Sequence, residues 1–550
     1  MRRPSVRILA PAVVAAALVL MAVRSGDDDL FELRRNFEIF GSVYEQLVLG
    51  YVDDIRPQPF MRAGIEAMLA ELDPYTVFYD EADLADSRVQ MQQSTGTVGL
   101  TLGERAGRLT VFEPGSNAEA YRQGVRIGDV IVGIGGVDAA TLTLSEAYDL
   151  LSGEPGSTVE VVIQRTGEDL PRTFTLPRVP VDRDNVRWAG YLGPDTTALY
   201  GYVKLDQFGP RSGREVRRAF REMARGAGLN GLVLDLRNNP GGVLEDAVEI
   251  VGLFVPKDSP VVTLRSRDRT ADTVHRTDTD PLFPDLPVVV LINEYSASAS
   301  EIVAGALQDY DRAVVLGTTT FGKGLVQVVH RLPHNAALKM TIAHYVLPSG
   351  RSIHSAELNT ASSRVAVPEE RLFQTPEGRT VRSGVGVEPD IPMERPFVSE
   401  LETALRENGA FFLFADHQAA TQCATLDFDA CVANQDRLLA EFRSWLADRQ
   451  FSYLTLSEKQ LALLDEEMRE AGWDATAGAL SDVERRLRTE KEGDFDRYAE
   501  RLTGLIAEEL RVRMLSGQAA LERSLTDDAW VSRARELLDR PAERGRLLGQ

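Results

Sequence analysis

At 550 residues, 43% apolar and 7% aromatic, the chain has the makeup of a soluble globular protein and is too long for a single hydrophobic core. A formal net charge of −22 argues against nucleic acid or an anionic membrane surface as its main partner. Only six histidines and two cysteines are present, and none of the histidines sits in a metal-ligand motif.

Arg2, Arg3 and Arg7 precede an apolar run from Ile8 to Val23, and Asp27–Asp29 follow it. This is the pattern of an export signal. The run is shorter than the roughly 20 residues of a membrane span, so residues 1–25 read as a signal peptide or as a retained membrane anchor. Either reading places the rest of the chain outside the cytoplasm, in a periplasmic or cell-envelope setting.

Residues 26–92 predict helices, with Leu30, Leu33, Phe37, Phe40, Val43, Tyr44 and Leu47 at helical spacing and a second segment from Phe60 to Leu72. Pro74 ends the pattern. Residues 93–180 change to short strands (Val98–Leu102, Leu109–Phe112, Val130–Ile134, Val159–Arg165, Phe174–Leu176) around one helix, Ser145–Leu151, with Ser145 as its expected N-cap. Residues 181–398 alternate apolar strands (Leu199–Leu205, Leu232–Leu236, Val288–Ile292, Val314–Leu316) with helical segments at 212–225, 243–254 and 298–309, which predicts a largely parallel sheet. Residues 399–550 are rich in Ala, Leu, Glu and Arg and read as a helical appendage with solvated charged faces. Cys423 and Cys431 lie in it, as a disulfide or as two buried thiols. The fold class is multidomain α/β (α+β).

Three loops in the α/β region carry groups suited to acyl chemistry. Asn293–Glu301 leaves a strand and opens a helix, so a serine there exposes its hydroxyl beside helix-start N–H groups that favour an oxyanion. The same serines also serve simply to cap and pack a helix. Thr320-Phe321-Gly322-Lys323-Gly324 holds a lysine between glycines. Burial would lower its pKa and let it take a serine proton, whereas a surface turn would leave it an ordinary cation. Leu234–Gly242 ends in glycines whose amides can approach a ligand closely, or which merely form a tight turn.

Other signals are weaker. Gly317–Gly324 misses a phosphate-binding loop because Gly324 stands where a Mg²⁺-holding Ser or Thr belongs. His330 and His334 are separated by Pro333 and lack a carboxylate motif. No cofactor or metal is expected. A non-catalytic binding scaffold is the rival reading from another class.

Together these blocks resemble the carboxyl-terminal processing (tail-specific) serine peptidases over roughly residues 30–395. The resemblance rests on Ser296–Glu301, Ala304–Asp309, Thr320–Gly324 with Val326-Gln327, Pro348–Ile353, Leu234–Gly242 and Gly384–Ile391. It implies an α/β peptidase core with an inserted PDZ-like domain, N-terminal helices and a C-terminal helical extension. It also implies Ser298 as nucleophile, Lys323 as general base and Gln327 as the residue orienting that lysine. Ala299 and Gly241 or Gly242 would then form the oxyanion hole, with Glu301 and Asp309 in support. Ser296 and Ser300 are rivals to Ser298, separated from it by the 25-residue spacing to Lys323 alone.

In the PDZ-like domain the resemblance makes Val98, Gly99 and Leu100 the loop that receives a substrate's free C-terminal carboxylate. Two positions depart from the family pattern. Thr97-Val98 replaces a glycine-led pair, and Ser152 stands where many members carry Arg. The implied partners are proteins or peptides with free C-termini. The N-terminal helices serve either as a homodimer interface or as ordinary packing.

Overall fold

The computed structural model describes residues 31–81, 83, 96–114, 119–180, 185–192, 199–225, 228–355, 358, 371–395, 397–473 and 477–550. Residues 1–25, which carry the export or anchor reading, lie outside these. Two compact units are present. Of the described residues, one gathers 31–81 and Gln327–Thr341, and the other comprises nearly all the remainder.

In the first unit, residues 31–50 and Pro57–Leu69 are helical, as their apolar spacing predicts. Tyr44 stacks on Phe60 at 6.0 Å and its hydroxyl donates to the Pro57 carbonyl. Asp73 accepts hydrogen bonds from the Tyr75 and Thr76 amides, turning the chain into the Val77–Tyr79 strand, which pairs antiparallel with Ala337–Lys339.

The second unit begins with an antiparallel sheet in the order Leu100–Arg105, Arg108–Pro114, Val130–Ile134, Thr158–Gln164, Arg172–Pro177. Its core is built from inward residues of each strand, among them Leu102, Val111, Ile134 and Val161. The helix spans Leu144–Leu151 and is capped by Thr143, not by Ser145. Thr143 is extended and sits three residues before Glu146, whose carboxylate returns to its amide, so a capping box forms two residues earlier than the serine suggests. The expected first strand also starts later, at Leu100.

Next comes a six-stranded sheet in the order Val186–Tyr191, Tyr200–Leu205, Gly231–Asp235, Val288–Ile292, Val314–Gly317, Ile391–Pro392. All pairings are parallel except the first. Because the order runs monotonically along the chain and parallel crossovers are right-handed, the three intervening helices fall on one face. Those helices are Ser212–Arg225, Leu244–Val251 and Ala299–Asp309. Residues alternate between faces, so Leu232, Leu234, Val290 and Ile292 pack under these helices while Val233, Val289, Leu291, Val314 and Leu316 point the other way.

That second face is covered by Leu525, Val531, Ala534, Leu537, Leu538 and Leu548. The helical region after 399 therefore divides in two. Helices Glu400–Glu407, Ala410–Ala420, Gln435–Asp448 and Ala499–Met514 form their own core around Phe411, Phe414, Phe442 and Trp445. The helices from Gly517–Asp527 onward complete the α/β layer, where the sequence suggested only an appendage. Charged residues of Ala529–Asp539 hide this role, because only its apolar stripe meets the sheet.

The helical region also meets the first β domain. Phe412 packs on Phe112 at 5.4 Å, with the Arg105 guanidinium over the Phe112 ring. Gly128, at φ +88, admits the Asp416 carboxylate so closely that a Cβ would lie 1.9 Å from it. Pro260–Ser266 and Thr273–Arg276 add an antiparallel ribbon that the apolar pattern did not single out.

Cys423 and Cys431 are disulfide-bonded, with Cα atoms 5.4 Å apart. Closing so short a loop is worth about 2–3 kcal/mol. Replacing both with serine is expected to lower the stability of the helical domain by that amount in chemical denaturation, with catalysis by the folded protein unchanged.

Candidate active site

Parallel strands place the loops that follow them at one edge of the sheet, outside their carboxyl ends, where α/β proteins hold their ligands. Leu236–Gly242, Asn293–Ser298 and Thr318–Lys323 are three such loops, leaving adjacent strands.

Three serines compete in the middle loop, and their environments separate them. Ser296 and Ser300 are fully buried, and their hydroxyls donate to the Leu236 and Asn239 carbonyls at 2.8 and 2.9 Å. Both are thus used to fasten this loop to its neighbour. Ser298 is half-buried and stands at the N-cap of Ala299–Asp309 with φ +54 and ψ −112. Such a conformation costs a non-glycine residue on the order of 1–3 kcal/mol and is characteristic of functional turns. The buried Tyr345 phenol, whose pKa burial raises, lies beside it.

Glu301, one turn into the helix, ties the serine loop to the lysine loop. Its Oε1 accepts from Thr320 Oγ1 at 2.6 Å and from the Gly322 amide at 2.7 Å. Its Oε2 accepts from the Ser298 amide at 2.7 Å and the Lys323 amide at 2.9 Å. Burial pushes the Glu301 carboxyl up and the four donors act against it, leaving it at about 7. The Phe321 amide donating to the Ser296 carbonyl adds a second tie between the loops.

The glycine loop comes as near. A Cβ on Gly241 (φ +94) would lie 2.6 Å from the Ala297 carbonyl oxygen and 2.8 Å from Ser298 Cβ, and one on Gly242 would strike Phe208. Only glycine permits this approach. The Gly241 amide, however, donates to Asn239 Oδ1 at 2.9 Å. It is spent within the loop, which corrects the pairing of Gly241 with an oxyanion. The Ala299 and Gly242 amides make no hydrogen bond among the described residues.

Asp309 lies at the far end of the helix. It pairs with Arg351 at 2.9 Å and accepts from the Ser349 amide, bracing the Pro348–Ile353 turn. That turn leads to Ser355, whose amide donates to the Gly322 carbonyl, so contacts link Asp309 to the lysine loop. Gln327 sits on the strand Leu325–Arg331 and donates through Nε2 to Thr341 Oγ1 at 3.3 Å. Val98, Gly99 and Leu100 open the edge strand of the first β domain, with Gly99 at φ +72.

Sequence reasoning missed a buried ionic cluster beneath the glycine loop. Arg237 Nε and Nη2 embrace the Asp235 carboxylate, which also accepts from Tyr202 at 2.6 Å and faces Lys204 at 3.6 Å. Burial acts to raise the Asp235 pKa, but Arg237 and Lys204 outweigh it and hold the group at about 2. From the C-terminal helices, Asp528 reaches Arg237 at 2.7 Å and Trp530 lies against its guanidinium. Asp235 and Arg237 were visible inside Leu234–Gly242 as charges at a strand end. Asp528, 291 positions after Arg237, carried no such signal.

Comparison with known proteins decides the family. Residues 199–361 match the model of peptidase family S41, residues 110–165 a PDZ domain, and residues 401–538 a C-terminal helical domain described for a probable PDZ-protease. A carboxy-terminal-processing protease of Bartonella bacilliformis is 32% identical over 401 residues, covering 72% of this chain and 84% of that one. The chain belongs to the carboxyl-terminal processing peptidases. It is a PDZ-containing serine peptidase with a mixed helix and sheet fold. A Synechocystis sp. carboxyl-terminal-processing protease is 35% identical over 295 residues, covering 53% of this chain and 68% of its own. The solved photosystem II D1 C-terminal processing protease aligns with 29% identity and a TM-score of 0.37, over 66% of this chain and 89% of that one.

The Glu301 carboxyl makes stability depend on pH in a defined direction. The folded peptidase keeps its proton up to about 7, while the unfolded chain releases it in the usual carboxylate range. Folding stability should therefore fall as pH rises between those points and level off above. Glu301→Gln should abolish that slope in denaturation curves taken between pH 5 and 8. A slope unchanged in the variant would place its source elsewhere.

Proposed function

We propose that this peptidase hydrolyses peptide bonds with Ser298 as nucleophile and Lys323 as general base. The observation that carries the reading is the division among the three serines. Ser296 and Ser300 are committed to backbone carbonyls, whereas Ser298 is strained, half-exposed and held by Glu301 to the loop that bears the lysine.

In this mechanism Ser298 Oγ attacks the substrate carbonyl carbon as its proton passes to the neutral Lys323 amine. The carbonyl oxygen takes the developing charge and is met by the Ala299 amide and, given the commitment of Gly241, by Gly242. The C–N bond then breaks, and the leaving amine takes the proton back from the lysine. Water, deprotonated by the same lysine, attacks the acyl ester, and the lysine returns that proton to Ser298 Oγ as the ester C–O bond breaks. Gln327 orients the lysine, and Glu301 and Asp309 keep its loop in place. Asp235, Arg237 and Asp528 hold the glycine loop from below.

The PDZ domain is read as recruiting substrates by their free C-termini, with Val98, Gly99 and Leu100 receiving the carboxylate and the peptide adding along the edge strand. The cell compartment is read as extracytoplasmic. The basic and apolar segment of residues 1–25, as signal or anchor, and the disulfide of Cys423 with Cys431 support that reading. A homodimer through the N-terminal helices is supported by the apolar side chains they leave exposed, among them Phe31, Leu33 and Phe37.

Ser298→Ala is expected to reduce turnover of an unfolded protein substrate by at least about a thousandfold. Lys323→Arg should be equally inactive, because a guanidinium does not give up its proton. Wild-type kcat/KM should rise with pH as the base loses its proton. Cleavage by Ser298→Ala at the wild-type rate would refute the nucleophile, and retained turnover in Lys323→Arg would refute the base. Peptides with free and amidated C-termini, followed by mass spectrometry of the products, test recruitment. Equal cleavage of both would refute it and leave the catalytic pair standing.

A further inference from the structure

Leu100–Arg105 is the terminal strand of the PDZ sheet, paired with Arg108–Pro114 on one side only among the described residues. An edge strand offers N–H and C=O groups to an incoming chain, and in antiparallel pairing one residue exchanges both of its groups with a single residue opposite. Helix Leu144–Leu151 packs alongside this edge, and the two form the walls of the groove that an added strand would enter.

Tyr148 projects from that helix into the groove. Its hydroxyl accepts from the Leu102 amide at 2.8 Å and donates to the Leu102 carbonyl at 3.1 Å. A phenol is both a donor and an acceptor. Here it satisfies both backbone groups of one residue, as the matching residue of a bound peptide strand would. Tyr148 is half-buried, and its helix is fixed by the Thr143–Glu146 capping box and by the packing of Ala147 and Leu151, so the contact is held from a rigid base.

We propose that Tyr148 is an internal competitor for the peptide groove, closing the PDZ edge at Leu102 until a substrate C-terminus displaces its hydroxyl. The inference rests on the reading of this domain as a recruiter of free C-termini. A ligand engaging only the carboxylate loop at Val98–Leu100 can enter without disturbing Tyr148. A ligand extended past its last residues must take both Leu102 bonds from the phenol. Recruitment then favours extended, unstructured C-terminal tails long enough to make that exchange, and the displaced ring is free to pack on the tail's side chains. Ser152 lies four residues on, as the C-cap of the same helix, with its amide donating to the Tyr148 carbonyl.

The test uses full-length protein carrying Ser298→Ala, so that peptides bind without being cut. A fluorescent eight-residue peptide with an apolar, free C-terminus, its amidated twin and a two-residue truncation are titrated by anisotropy. Tyr148→Phe keeps the ring and removes the competing hydroxyl, and a thermal melt confirms its fold. It should bind the eight-residue free peptide about thirtyfold more tightly than the Tyr148 protein, at roughly 1 kcal/mol for each of the two released hydrogen bonds. The two-residue ligand should show no gain.

Hydrogen exchange over residues 100–105 gives a second reading. The unliganded Phe variant should exchange faster than its parent, and the two should converge when the peptide is bound. If both proteins bind the free peptide equally and better than the amidated one, the competitor is overturned and recruitment survives. If neither distinguishes free from amidated peptide, recruitment fails and the inference falls with it.

Discussion

A parallel sheet whose strands follow one another in chain order fixes most of this molecule. Right-handed crossovers send every connecting helix to the same face, so the opposite face, with Val233, Val289, Leu291, Val314 and Leu316, is left apolar and uncovered by the core's own helices. The chain resolves this by bringing Leu525 to Leu548 back across more than two hundred positions to lie on it. The same order sets the loops after three successive strands side by side at one edge. Cover and cleft are thus two consequences of one topology.

Within the cleft the Glu301 carboxylate does what the sheet alone does not. Strand ends bring loops near one another, but they do not fix the loops to fractions of an ångström. Four donors from Ser298, Thr320, Gly322 and Lys323 converge on one buried carboxylate and remove that freedom. Its position near neutrality follows from burial set against those donors. The ionised form accepts all four at once. Protonation turns one acceptor into a donor and sets it against a backbone N–H.

The helical domain, which looked peripheral, reaches both working parts. Phe412 and Asp416 press against the PDZ domain beside Phe112 and Gly128, while Asp528 and Trp530 hold Arg237 under the glycine loop. Asp528 also caps its own helix through the Trp530 and Val531 amides, so one carboxylate joins helix start and glycine loop. The arrangement gives the domain a positioning role at two places, each through a small number of side chains whose effect depends on close packing.

Local patterns carried a good deal of this. Apolar alternation marked the strands at 232–236 and 288–292, and the glycines at 241, 242 and 322 marked the close approaches, because each reflects a constraint acting between near neighbours in sequence. The choice among Ser296, Ser298 and Ser300 was another matter. All three share one composition and one loop, and only the carbonyls of Leu236 and Asn239, some sixty positions earlier, show which two are spent. The same holds for the commitment of the Gly241 amide, the donors on Glu301, the Tyr148 contact with Leu102 and the reach of Asp528 to Arg237. The sequence by itself determined the strands and helices of the α/β layer around the serine loop, though not the Pro260–Ser266 ribbon, since backbone sterics and periodicity are local. Which hydroxyl, amide and carboxylate remained available was decided only by the tertiary structure, because a polar group's partners are set by what folding brings beside it.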